Sequence, residues 1–338
     1  MKRAGSLIES VVDADNLRSA FSNAAKGRWA QVEARAFAAD LDGECVRMRR
    51  DLLSGAYPWG NYRQFLIRDP KPRLISAAPF RDRVAHHAVI NVCGPYFESY
   101  LIHDTYACRK GKGLDGVLGR AVSFARGGGW HLQLDIRKYF DSVDHDVLRR
   151  LLARKFKDHV VLAHFADILG GYRTAPGRGL PIGNLTSQYF ANHYLGALDH
   201  FIKERLGCRR YLRYMDDFVL WADDRASLLG HRVEIAAFLQ NELRLDLKPE
   251  VMGRCDRGLT FCGYRVYPGG LRLSNRSRRR FRHLYREAMD RAGSGGWTET
   301  ELVRHVEPML AFVRRGASHA FRQRVLAAHG TDPEARTG

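Results

Sequence analysis

The succession of elements readable in the chain predicts an α+β fold built on antiparallel strands. Three observations carry that expectation. Apolar residues recur at helical spacing through 6–55 and again through 80–98. Two segments, HLQLDI (131–136) and RRYLRYMDDFVLWA (209–222), read as strands, the second as strand, tight turn, strand. Helices and hairpins also follow one another in mixed order, which does not suit a doubly wound sheet.

Each element has a local reason. The N-terminal helical run closes at Gly55 and Pro58. YRQFLIRDPKPRLIS (62–76) reads as two short strands around a proline-containing turn. A helix is expected from about Asp144, a good N-cap, through VDHDVLRRLLARKF. GLPIGN forms a loop, and LTSQYFANHYLGALDHFIKERL then runs as one long amphipathic helix. ASLLGHRVEIAAFLQNEL (226–243) is helical and LTFCGYRVYP (259–268) is β. Beyond Gly270 the composition changes: Leu271 to Arg286 holds seven arginines and no acid. That segment reads as a basic helical module, with GSGG (293–296) as an internal loop and a frayed end at 331–338.

Composition excludes several classes. In 338 residues, 45% are apolar and 27% charged, so wholesale disorder, a fibrous repeat and a small disulfide scaffold are ruled out. Lys and Arg number 55 against 37 Asp and Glu, a net charge of +18. Such an excess concentrates polyanions at the surface, nucleic acid first and an anionic membrane second. The six cysteines (Cys45, Cys93, Cys108, Cys208, Cys255, Cys262) form no CxxC pair and read as reduced thiols. The N-terminus has no signal-like apolar core, and no run of about 18 apolar residues exists to span a bilayer. A soluble, cytoplasmic protein is expected.

The chemistry-bearing constellation is a pair of acidic sites, Asp135 at the end of an apolar strand and Asp216-Asp217 in the apex of an apolar hairpin. Strands normally avoid Asp. Three carboxylates brought together repel unless cations lie between them. Two Mg²⁺ ions, with Mn²⁺ as a substitute, suit such hard oxygen ligands and the chemistry of phosphoryl transfer. Taken singly, each motif is equally an ordinary strand end or turn.

Seven segments then occur in a telling order. KPRLISAAPFRDRVAHHAV, TYACRKGKGLDGVL, LQLDIRKYFDSVDHDVL, GLPIGNLTSQYFAN, RYMDDFVLWADD, LRLDLKPE and GLTFCGYRV resemble the successive fingers and palm motifs of reverse transcriptases. The resemblance covers roughly residues 55–270, with a thumb-like tail to about 330. It implies a right-hand polymerase fold of fingers, antiparallel-sheet palm and helical thumb. The expected units are an N-terminal helical segment (1–55), fingers (56–130, with 145–180 interleaved), palm (131–144 and 181–270), thumb (271–330) and a disordered tail (331–338). The IGNLTSQ string, with Ile182 where many relatives carry Gln, looks like the bacterial diversity-generating retroelement type. Those enzymes are short and lack maturase and endonuclease domains, and this chain too ends soon after its basic module.

The resemblance also implies roles. Asp135, Asp216 and Asp217 hold two metal ions, with the Ile136 carbonyl adding a ligand and Asp217 acting mostly through its charge. Phe140, or its neighbour Tyr139, lies under the sugar and disfavours a ribose 2′-OH; a core ring is the other reading of Phe140. Lys71 and Arg73 grip the triphosphate, with Arg68, Arg81 and Arg83 as competitors for that register. Gly183 allows close backbone approach to the nucleotide, Ile182 packs on its sugar and base, and Gln188 contacts the template or braces the pocket. Lys248 protonates pyrophosphate or is a surface lysine before a proline turn. Phe261, Cys262, Gly263 and Tyr264 form a primer grip. Arg109, Lys110 and Lys112 follow the template backbone. Arg276, Arg278, Arg279, Arg280 and Arg282 face an RNA–DNA duplex.

The implied reaction is template-directed transfer of dNMP from dNTPs to a primer 3′-OH, copying a structured non-coding RNA with frequent errors at adenines. A small basic oligomeric accessory protein is a further implied partner, although the +18 charge disfavours its docking without RNA between the two. The alternatives are an antiphage-defence or CRISPR-associated reverse transcriptase copying its own structured RNA, and a non-catalytic RNA-binding scaffold.

Overall fold

The computed structural model describes residues 3–68 and 72–328. The chain opens with helices α1 (Ile8–Val11), α2 (Ala14–Ala25), α3 (Val32–Ala39) and α4 (Leu41–Leu53). A hairpin of β1 (Arg63–Arg68) and β2 (Pro72–Ala77) follows, then α5 (Phe80–Glu98) and α6 (Leu114–Arg126). Next come β3 (Trp130–Asp135), the single turn α7 (Tyr139–Ser142), α8 (His145–Lys155), α9 (His159–Gly170) and α10 (Leu185–His200). Helix α10 continues as a π-helical turn over Phe201–Arg205. Then follow β4 (Tyr211–Tyr214), β5 (Asp217–Ala222), α11 (Arg225–Leu243), β6 (Val251–Arg254), β7 (Leu259–Phe261), β8 (Tyr264–Tyr267) and β9 (Gly270–Leu273). Helices α12 (Asn275–Gly293), α13 (Glu299–Arg314) and α14 (His319–Ala327) complete the described chain.

The central sheet has strand order β4-β5-β3-β6, all antiparallel. Side chains alternate between its faces with period two. Leu132, Leu134, Phe218, Leu220 and Tyr211 point into one core, shared with α1–α5 and α8–α11. Leu212, Val219 and Trp221 point into a second, shared with α6, the β7-β8-β9 sheet and α12–α14. Being buried on both sides, β5 needs a nearly continuous apolar run, which FVLWA supplies.

Asp144 caps α8 as expected, its carboxylate accepting from the amides of Asp146 and Val147. The basic C-terminal segment is less separate than its composition implies. Strand β9 spans the 270/271 position and pairs with β8, and its Leu273 joins the core that α12 also enters. Expectations for Lys71 and for the tail 331–338 fall outside the described residues.

Candidate active site

The site grows out of strand register. In the β3–β5 pair Asp135 stands directly opposite Asp217, and in the β4–β5 pair Asp217 stands opposite Tyr214. Met215 and Asp216 are therefore the two residues of the turn. Met215 takes a left-handed φ of 58°, which a side-chain-bearing residue adopts at a cost of about 1–2 kcal/mol. Acids 81 and 82 positions apart in sequence thus share one end of one sheet, as the acidic pattern anticipates.

Two further side chains meet these carboxylates. The Lys248 ammonium donates to both oxygens of Asp135 at 2.8 Å, and its amide donates to the Asp135 carbonyl at 2.8 Å. The Gln133 amide donates to Asp217 Oδ1 at 2.8 Å and Oδ2 at 3.1 Å. Burial pushes the Asp217 carboxyl up to about 7; Gln133 opposes the rise, and the charges of Asp135 and Asp216 add to it. Asp216 is raised too, by burial first and the charge of Asp135 second. Burial also raises the Cys262 thiol, with a smaller contribution from Asp217, which places the β7–β8 turn beside the acids.

The donor set is all hard oxygen and under-neutralised, which fits a divalent cation. It is not a finished coordination shell: among the described residues, no three acidic, His or Cys side chains converge at metal-holding distance. Lys248 holds one carboxylate and Gln133 another, so cation entry requires Asp135 to exchange partners. The two backbone bonds bracketing Ile136, from Arg137 to Asp246 and from Lys248 to Asp135, do not use the Ile136 carbonyl.

A cleft of about 560 Å³ opens over Asp216, lined among others by Arg73, Tyr139, Phe140, Ile182, Gly183 and Gln188. Its wall is stitched across the fold. Ser76 of β2 donates its amide to the Ile182 carbonyl at 2.9 Å and accepts from the Asn184 side chain at 2.9 Å. Gly183 has φ +110°, and a Cβ there would meet Ile75 Cγ2 at 2.8 Å. A close pass of β2 thus already requires glycine at this position, which also lines the cleft.

Several sequence expectations require correction. Tyr139 is buried, its hydroxyl donating to the Ala191 carbonyl, so Phe140 is the half-open ring of the pair. Arg81 pairs with Asp51 at 2.8 Å and lies over Tyr57, so it leaves the triphosphate competition. Arg109 is not free for a template: it pairs with Glu98 at 2.7 Å and donates to the carbonyls of Ile102 and Thr105. Lys112 donates to the His103 carbonyl and covers Tyr106, whereas Lys110 is exposed. Phe261 and Tyr264 are core residues and pair with each other, which leaves Cys262 and Gly263 as the half-buried turn of the supposed grip. Arg276, Arg279 and Arg282 are exposed on α12, with Arg278 and Arg282 lying over Phe321. Gln133 was missed, although the strand period places it on the face of Asp135, two residues away.

Antiparallel strands bearing paired acids, enclosed by helices and two smaller sheets, define a right-hand polymerase. The same architecture is seen in the structure of apo telomerase from Candida tropicalis truncated from its C-terminal domain. The TM-score is 0.51 at 12% identity, over 63% of this chain and 55% of that one. Residues 68–266 match the reverse transcriptase (RNA-dependent DNA polymerase) family, and this protein belongs to it. Protein YkfC of Escherichia coli is 25% identical over 278 residues, covering 68% of this chain and 72% of YkfC. The putative COX1/OXI3 intron 1 protein of Saccharomyces cerevisiae is 22% identical over 168 residues, which are 47% of this chain and 20% of that protein. Nuclear intron maturase 1, mitochondrial, of Arabidopsis thaliana is 25% identical over 126 residues, 32% of this chain and 18% of the maturase. The chain thus spans a fifth or less of those two intron-related proteins. Among the described residues, no helix is long and apolar enough to cross a membrane.

Proposed function

We propose that this reverse transcriptase copies a structured non-coding RNA into cDNA, and that it does so with the low fidelity of a diversity-generating retroelement. The single observation that carries the catalytic reading is the register of Asp135 against Asp217, with Asp216 in the adjoining turn at the floor of a cleft.

Bound Mg²⁺, or Mn²⁺ in its place, supplies activation of the primer 3′-OH and stabilisation of the leaving pyrophosphate. Asp135, Asp216 and the Ile136 carbonyl would hold the cations, and Asp217 would contribute charge while Gln133 restrains it. Arg73, exposed on β2 at the rim of the cleft, receives the triphosphate. Phe140 lies under the sugar and excludes a 2′-OH. Lys248, whose ammonium pairs with Asp135, would be the proton donor to the leaving pyrophosphate. The exposed arginines of α12 and Lys110 bind nucleic-acid backbone, so affinity falls steeply with salt.

The retroelement reading rests on Ile182. An apolar side chain at this wall of the cleft removes a polar contact to the incoming nucleotide, so fewer interactions distinguish a correct pair from a wrong one. The test is sequencing of the RNA and cDNA that co-purify with the protein. A template matching a repeat beside a variable gene, with errors concentrated at adenines, is the expected result. A self-contained structured RNA copied faithfully would place the enzyme in a defence system instead.

A further inference from the structure

Directly beneath the catalytic turn lies a charge pair that the reaction scheme does not use. Arg213, the residue before the Tyr214–Asp217 hairpin apex, and Asp199 of α10 are both 0% exposed. Every N–H of the guanidinium has an acceptor. Nε and one terminal nitrogen grip the two Asp199 oxygens at 2.8 and 2.6 Å. The other terminal nitrogen donates to Asn192 Oδ1 at 3.2 Å and to the Met215 carbonyl at 2.9 Å, and a final bond reaches the Asn192 carbonyl at 3.3 Å. Asp199 is saturated in turn, accepting from Tyr211 at 2.6 Å and Thr105 at 2.7 Å. Backbone bonds from Arg213 to Asp104 and from Tyr106 to Arg213 lock the same residue along the strand edge.

We propose that Arg213 is a positioning residue for the metal-binding turn. Its bond to the Met215 carbonyl holds the left-handed backbone on which Asp216 is mounted. Three facts favour this over a purely structural pair. The Met215 carbonyl belongs to the one turn residue with positive φ, the place where the backbone has least reason to stay put. The bond runs from a group fixed on all its other donors, so the carbonyl is held against a rigid reference. That reference is α10, whose N-terminal loop carries Ile182 and Gly183, so the floor and one wall of the cleft share a single support. Asp199 serves as the anchor of Arg213 and touches nothing in the cleft.

The inference rests on the polymerase reading of the turn, and its test separates the two. Arg213→Lys keeps a cation against Asp199 but cannot reach Asn192 and the Met215 carbonyl as well. For the purified full chain, Mn²⁺ binding without nucleotide is measured by electron paramagnetic resonance, together with primer extension on an RNA template and thermal unfolding. The expected result is weaker Mn²⁺ binding, a higher Mg²⁺ requirement and a kcat reduced about a hundredfold. KM for dNTP should stay near the wild-type value, and Tm should fall because buried acceptors lose their donor, so kcat and Mn²⁺ affinity are read per folded molecule. Unaltered Mn²⁺ affinity and kcat per folded molecule would overturn the proposal. Should Arg213→Lys fail to fold, the double variant Arg213→Met/Asp199→Asn removes both charges while leaving an acceptor for Tyr211 and Thr105. It is expected to fold and to bind Mn²⁺ weakly, and wild-type affinity in it would equally overturn the proposal. A wild-type chain that binds Mn²⁺ more tightly than Arg213→Lys yet extends no primer would sink the polymerase reading while upholding the role of Arg213.

Discussion

The two faces of the central sheet each carry a carboxylate paired with a cation, and the two pairs are built differently. On the α10 face, Asp199 and Arg213 are wholly buried, multiply bonded and mutually saturated. On the opposite face, Asp135 and Lys248 have side chains 37% and 45% exposed, and among the described contacts the ammonium donates to Asp135 alone. Removing one partner from a sealed pair leaves an uncompensated buried charge, so such a pair cannot exchange. A half-exposed pair contributes little stability and exchanges readily. The fold thus places rigid electrostatics beneath the turn and leaves exchangeable electrostatics on the face that carries Asp135 and Asp217.

The largest effect should come from the turn itself. Asp216→Asn is expected to lower primer extension at least about a thousandfold, with little change in Tm. Normal synthesis by that variant would place catalysis elsewhere and dissolve the contrast between the faces. Lys248→Ala probes the exchangeable pair. It should bind Mn²⁺ more tightly in the absence of nucleotide, because no ammonium has to be displaced, yet extend a primer about tenfold more slowly or worse through loss of the proton donor. Weaker Mn²⁺ binding would show that Lys248 organises Asp135 instead of guarding it.

The third test concerns pH. Asp217, raised to about 7 in the fold, has an ordinary value of about 3.9 when unfolded. Between those values the folded protein holds a proton that the unfolded chain has released, so stability falls as pH rises across that window. With chelator present, Tm should decline from about pH 4 to about pH 7, and Asp217→Asn should flatten part of that decline. Saturating Mg²⁺ should flatten it too, by favouring the charged carboxylate. An identical pH profile in Asp217→Asn would mean that the acid is not penalised by burial. The smallest effect is expected at the cleft wall. Ile182→Gln should lower the frequency of errors opposite template adenines by a few-fold, at nearly unchanged rate, as read by cDNA sequencing. An unchanged error spectrum would remove the physical basis of the low-fidelity reading.

Much of the site was legible because its signals are local. Asp in an apolar strand and Asp-Asp at a hairpin apex violate strand preferences, and such violations mark function. The loop GLPIGN and the turn at Cys262-Gly263 announce themselves by residue type. What remained hidden was the partner of each exposed-looking cation. Arg109 and Lys110 are adjacent and chemically alike in the sequence, yet one is held by Glu98 and two carbonyls while the other is exposed. Tyr139 and Phe140 differ in the same way: the first is buried with its hydroxyl bonded to the Ala191 carbonyl, and the second is half-buried.

Sequence alone determined the period of each strand and helix, the charge excess and the acidic residues that break the apolar pattern, because those depend on neighbours a few positions away. Tertiary structure decided which face each strand residue serves, that Asp135 meets Asp217, and that Arg213 is locked to Asp199 while Lys248 stays exchangeable. These follow from register and packing between residues up to 113 positions apart. The free energy of a charge there depends on what surrounds it more than on what it is.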